Sequence, residues 1–246
     1  MSELLATVKV LALLGGIGAV VGVLARRAPW LLGLLGAALF LFSQALGLFW
    51  VSQEAHMGEV GRILYVHVPA AWLSMLVYTI AFIAALGHLW TSRPTWDWAV
   101  EASIEVGVVL NVLLLVLGSL FARPTWGVWW DWDPRLTASA VMLLTFVGVM
   151  LLRSLVDDPE RRALWSSVTT VLAFVNIPIT YMSVRWWRSL HQVQSTSSTM
   201  SPDMAMVLRI SALAFLFLSV WAITQRYRIA ATRGAVLIAP PLPEAR

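Results

Sequence analysis

The 246-residue chain contains no cysteine. Structural disulfides, thiolate catalysis and cofactor attachment through its own thiols are therefore excluded. Charge is scarce: Asp, Glu, Lys and Arg make up 12% of the residues, about half the usual share. Lysine occurs once, at Lys9, so the modest net charge of +4 is carried by arginine. No basic run extends beyond Arg161-Arg162, which leaves no footprint for nucleic acid. No Gly-rich phosphate loop of the Walker type is present, so the chain is not expected to hydrolyse ATP itself. No carboxylate pair or metal-ligand spacing points to hydrolysis. Internal repeats are absent. The N-terminus lacks the basic region and cleavage site of a removable signal and is expected to stay attached.

What the chain has instead is apolar length. Apolar residues make up 59%, and seven runs stand out at roughly 5–25, 29–51, 65–90, 99–121, 138–156, 164–184 and 206–225. About 20 such residues cross a bilayer as a helix. Barrel strands would need shorter, alternating segments. The expected fold is all-α: a polytopic membrane helix bundle forming one integral domain over 1–246. It has six core transmembrane helices and an extra N-terminal one. That first run is Gly-rich (Gly15, Gly16, Gly18, Gly22), and lying at the interface is the alternative to spanning. Ser195–Ser201 reads as a low-complexity loop, and 226–246 as a loose cytoplasmic tail.

Orientation follows the arginines at run ends. Arg26, Arg27, Arg93, Arg153, Arg161, Arg162, Arg226, Arg228 and Arg233 fall on one side; Arg62, Arg123, Arg135, Arg185, Arg188 and Arg209 fall on the other. The richer side is assigned to the cytoplasm, so loops 52–64, 122–137 and 185–205 face outward. Two features inside the runs would be costly unpaired in lipid. Glu101 and Glu105 share a helical face that Asn111 roughly continues, and Asn176 and Pro178 interrupt the sixth run. An ion path or partner contact is one reading; interhelical hydrogen bonding is the other.

The outer side carries the most informative segment, Trp126-Gly127-Val128-Trp129-Trp130-Asp131-Trp132-Asp133 with Arg135-Leu136-Thr137. Tryptophan is common at any membrane interface. Four in seven residues, with an acid among them, is more than that rule explains. Such a surface suits a large, flat, partly apolar ligand. Asp133-Pro134 reads as the N-cap and first position of a helix. Of four histidines, His88 falls at an inner interface and His56 in an outer loop. His67, in Tyr65-Val66-His67-Val68-Pro69-Ala70-Ala71, is placed at an outer helix mouth by Pro69 in a first turn. His191 follows Arg185-Trp186-Trp187-Arg188 just past another helix end. Two neutral imidazoles from opposite sides of a cleft can supply both axial positions of haem iron. Arg123, Arg135, Arg185 and Arg188 are available for its propionates.

These segments together resemble the haem exporter protein C family of the cytochrome c maturation system, over about residues 29 to 225. The Arg135-Leu136-Thr137 continuation favours that family over the larger haem lyase subunit. The resemblance implies a non-catalytic haem-handling subunit of a transporter-like complex in the bacterial inner membrane. His67 and His191 match the family's axial ligands. Trp126, Trp129, Trp130, Trp132 and Asp133 match the segment that presents haem b at the outer leaflet. A membrane-tethered periplasmic haem chaperone would dock there and receive haem as a covalent adduct. The implied partners are that chaperone, a second membrane subunit, a cytoplasmic ATPase and a small single-helix protein. Asp131 would oppose the propionates if it faced haem, so it is expected to turn outward. A small-solute permease and a membrane scaffold for an ATPase are the alternatives.

Overall fold

The computed structural model describes residues 15–16, 18–54, 57–191 and 200–238. Its named helices are α1 (Pro29–Phe49), a 3-10 turn (Glu59–Ile63), α2 (Leu64–Thr91), α3 (Pro94–Trp126), α4 (Pro134–Leu155), α5 (Pro159–Ala173), α6 (Asn176–Trp186) and α7 (Pro202–Ile238). Among the described residues there is no named strand. Six segments are long and apolar enough to span a membrane, with α5 and α6 together forming one. The fold is thus the expected all-α membrane bundle with six core spans. Most of the first apolar run lies outside the described residues, as do His56 and Ser195–Thr199. Five helices (α1, α3, α4, α5 and α7) open on proline, where the missing N–H costs nothing and φ is already helical.

Two expectations need correction. Pro69 lies inside α2 and not in its first turn, because the 3-10 turn at Glu59–Ile63 starts the helical segment earlier. The tail is not loose from Arg226: α7 continues to Ile238, held by ion pairs that sequence spacing does not show. His88 is buried at the end of α2, with its Nδ1 3.3 Å from the Arg93 carbonyl oxygen. The expected break at Asn176-Pro178 is present. Pro178 cannot donate to the Phe174 carbonyl, the Ile177 N–H takes that oxygen at 2.9 Å, and the span turns there between α5 and α6.

The helices pack as a four-membered core of α2, α3, α4 and the α5–α6 span, with α7 against α2 and α3 and α1 against α7. Close approach needs small residues where aromatic rings cross. A Cβ on Gly107 of α3 would overlap the Tyr78 ring of α2. Tyr78 in turn stacks on Phe146 of α4, with ring centroids 3.7 Å apart. This stack and its neighbours Ile104, Met142 and Ile177 fill the inner part of the core. At the inner end, Arg153 donates to both Asp97 oxygens at 2.6 and 3.1 Å and to Glu101 at 2.8 Å. Arg233 reaches Glu101 at 2.6 Å, and Arg226 reaches Glu105. The two glutamates therefore tie α3 to α4 and α7, which is the interhelical reading of their spacing.

Candidate functional site

Above the Tyr78–Phe146 stack the core is hollow. A cavity of about 690 Å³ opens there, and both His67 and His191 line it, with Trp126, Trp130 and Arg135. His67 comes from α2, with its Cε1 facing Gly118 of α3, where a Cβ would lie 3.1 Å away. Its Nδ1 is buried, with no hydrogen bond of good geometry among the described residues.

The loop that carries the tryptophans is fixed at both ends. Trp126 closes α3, and Gly127 reverses the chain at φ 81°, in the left-handed region that favours glycine. The Gly127 N–H donates to the Arg123 carbonyl at 3.0 Å, and the Arg123 guanidinium donates to the Gly127 carbonyl. Ser119 Oγ donates to the Trp129 carbonyl at 2.6 Å, which lays the loop back on α3. At the other end Asp133 caps α4, accepting the Arg135 and Leu136 N–H groups at 2.8 and 3.3 Å. Its second oxygen accepts the Leu190 N–H at 2.7 Å. One carboxylate thus joins the tryptophan loop, the start of α4 and the segment after α6.

That same carboxylate faces His191. Oδ1 lies 3.7 Å from His191 Nδ1, too far for a hydrogen bond but close enough to bias which nitrogen carries the proton. The Trp126 and His191 rings meet edge to face at 5.0 Å. Burial, and secondarily the Arg135 charge, push the His191 pKa down to about 4 against the opposing pull of Asp133. The ring is therefore neutral at pH 7, as a metal ligand must be. Burial acts to raise the Asp133 pKa, but hydrogen bonds from Ser189, Leu190, Arg135 and Leu136 outweigh it and hold the carboxyl below its usual range.

The remaining expected residues divide. Trp130 lines the cavity and meets Trp132 at 5.8 Å, while Trp132 is 79% and Trp129 56% exposed, both pointing away from the cavity lining. Asp131 is exposed and outside the lining. Of the four arginines, only Arg135 lines the cavity, with its Nη1 3.4 Å from the Thr180 carbonyl. Arg123, Arg185 and Arg188 are exposed outside it, and Arg185 lies 6.0 Å over the Tyr181 ring. Sequence reasoning missed Arg209 of α7, which lines the cavity, because its place inside an apolar run registered only as a topology mark. It also missed Trp72, Met75, Met142 and Tyr181 in the walls. These carry no local signal: each looks like an ordinary residue of an apolar helix.

Comparison with known proteins gives a single answer. The family model described as Heme exporter protein C matches residues 12–237. The chain is 36% identical over 220 residues to "Heme exporter protein C" of Bradyrhizobium diazoefficiens, covering 87% of this chain and 80% of that protein. It is 34% identical over 202 residues to the Escherichia coli K12 protein of the same name, covering 81% and 82% respectively. A "Putative cytochrome c biosynthesis ccmC-like mitochondrial protein" of Marchantia polymorpha is 32% identical over 207 residues, covering 83% and 87%. The match spans the helices that build the cavity, and the chain belongs to the Heme exporter protein C family.

Proposed function

We propose that this chain handles haem in cytochrome c maturation, holding haem b in the cavity with His67 and His191 as axial ligands. The observation that carries the reading is that these two histidines, far apart in sequence and on separate elements, line one cavity with three indoles and two guanidinium groups. Its volume of about 690 Å³ falls within the roughly 300–1,000 Å³ of small-molecule sites. The donor set fits the cargo. Neutral imidazole suits iron, Trp126 and Trp130 suit the porphyrin faces, and Arg135 with Arg209 suits the propionates. Asp133 supplies the carboxylate that metal-bound histidines commonly have behind them.

In this reading the tryptophan loop faces the periplasm across the bacterial inner membrane. A membrane-tethered haem chaperone docks on the exposed Trp129 and Trp132 with Arg123, Arg185 and Arg188 around them, and takes haem from the cavity mouth. The second membrane subunit, the cytoplasmic ATPase and a small single-helix subunit complete the complex, and this chain is its non-catalytic haem-presenting part. The permease reading loses support. It needs Glu101, Glu105, Asn111 and Asn176 for a polar path; the glutamates are engaged in ion pairs and the asparagine amides donate to neighbouring residues. The test is the absorption spectrum of the purified protein titrated with ferric haem. It should show low-spin bis-imidazole haem, and His67→Ala and His191→Ala should each abolish that form. Spectra unchanged in both variants would reject the ligand assignment.

A further inference from the structure

The cavity does not end at the level of the histidines. Along α2 its lining runs from His67 through Ala71 and Trp72 to Met75, and along α4 from Arg135 through Ser139 to Met142. Eight residues of helix carry it about 12 Å deeper, into a segment apolar enough to lie in the bilayer. Arg135, His67 and His191 lie toward the loop end, and the deepest lining residues along α2 and α4 are Met75 and Met142.

Among the described residues, the helices along one side of this hollow pack only sparsely on each other. α5 packs along α2, pinned where Phe174 stacks on Phe82 with ring centroids 3.9 Å apart. Beyond the turn at Phe174–Val175, α6 packs against α4 instead of α2. The two helices that meet below the turn therefore separate above it. Trp72 on α2 and Tyr181 on α6 both line the cavity, and both are about half exposed, so no described helix covers either of them.

We propose that the gap between α2 and α6 is a lateral opening through which haem passes from the outer leaflet into the cavity, with Trp72 and Tyr181 as its posts. This rests on the haem-binding reading above. The occupant is argued from the gradient along the cavity. A flat apolar macrocycle with two carboxylates on one edge matches a slot that is apolar at bilayer depth and has Arg135, His67 and His191 at the water end. Haem would slide in apolar edge down, with the propionates kept toward the loop. A free anion would have no reason to cross the apolar part, and the depth would be superfluous if loading came only from water.

The absence of native cysteine makes the test direct. The full chain carrying Trp72→Cys and Tyr181→Cys is placed in liposomes and bridged with a reducible thiol cross-linker. Haem is supplied dissolved in the bilayer, and uptake is followed by quenching of protein tryptophan fluorescence, which needs no iron ligation. Cross-linking should slow uptake at least tenfold, and reduction of the linker should restore it. Equal rates with and without the cross-link would overturn the proposal. A second measurement needs no haem. In a Ser139→Cys variant, a membrane-dissolved maleimide should label the cavity at least tenfold faster than a charged, membrane-impermeant one. Equal or slower labelling by the lipid-phase reagent would overturn it too. Failure of these two tests beside an intact histidine-dependent spectrum removes the opening alone. Loss of histidine dependence beside slowed uptake removes the ligand assignment alone.

Discussion

Asp133 joins more parts of the site than any other residue. Its carboxylate accepts three backbone N–H groups and stands 3.7 Å from His191. Two substitutions separate its roles. Asp133→Asn keeps a cap oxygen and removes the charge behind the imidazole. It should weaken ferric haem binding by no more than the about 10–100-fold that loss of a hydrogen-bonded outer-shell partner costs, and its amide NH2, turned toward the Leu190 N–H, should also loosen the segment after α6. Asp133→Ala should in addition lower stability by about 1 kcal/mol through loss of the cap. Haem titration and thermal melting distinguish the two, and wild-type affinity in the Asn variant would confine Asp133 to capping. The depressed pKa of His191, about 4, sets a pH window. Above about 6.5 the ring is neutral whether the loop is closed or open, so its burial carries no pH penalty. As pH falls from there toward 4, the open loop takes up a proton that the closed loop refuses, and closure is progressively lost. The amide protection factors of the 187–191 segment, which correct for the intrinsic slowing of exchange at lower pH, should therefore fall between these limits and level off below them. A His191 that titrates at 6 or above in the haem-free protein would contradict the buried, neutral ring.

Among the elements, the divided span α5–α6 does the most to shape the site. Its turn depends on Pro178, which leaves the Phe174 carbonyl to the Ile177 N–H. Pro178→Ala returns a donor to the regular helical ladder and should straighten the span, swinging α6 toward α2. Spin labels at positions 72 and 181 should then come closer, and haem uptake should fall. An unchanged distance would mean that packing against α4, not proline, holds the bend. Deeper in the core, Gly107 is dictated by the neighbouring ring. Gly107→Val would drive Cβ into Tyr78 and should cost about 1–3 kcal/mol by overpacking, read as a lowered Tm in detergent. Of these features, the sequence displayed the break at Asn176-Pro178 because proline chemistry is local. It did not display which helix α6 would leave, since that depends on a partner remote in the chain.

The molecule as a whole is organised as two ends with different tasks. The end with the tryptophan loop is hollow and gathers aromatic, imidazole and guanidinium groups. The opposite end is plugged by the Tyr78–Phe146 stack and sealed by ion pairs joining α3, α4 and α7. Arg153 is the centre of that seal, with little of its side chain exposed and bonds to both Asp97 and Glu101. Arg153→Ala would strand the buried Asp97, leave Glu101 to Arg233 alone, and should destabilise the fold by about 3–5 kcal/mol, the range for breaking a buried pair. Removal of Arg226 and Arg233 together should cost less, since both are substantially exposed and exposed pairs contribute roughly 0–1 kcal/mol each. Thermal melts of the two variants in the same detergent give the comparison, and equal losses would mean that the α7 pairs are as well shielded as the central one.

The residues alone determined the class of this protein and the chemistry it offers. Apolar length specified the spans because a bilayer demands about 20 residues of helix. The loop from Trp126 to Asp133 and the scarcity of histidine singled out His67 and His191 because those residue types are expensive to place idly. Proline and aspartate marked the start of α4, since capping acts within one turn. Only the tertiary structure decided that the two histidines share a cavity, that Arg135 and Arg209 line it while Arg123, Arg185 and Arg188 do not, and that α7 runs on to Ile238. Each of these depends on the angle and spacing between helices distant in sequence. Those are settled by packing of side chains such as Tyr78 on Gly107, and packing between remote segments leaves no periodic trace in either one.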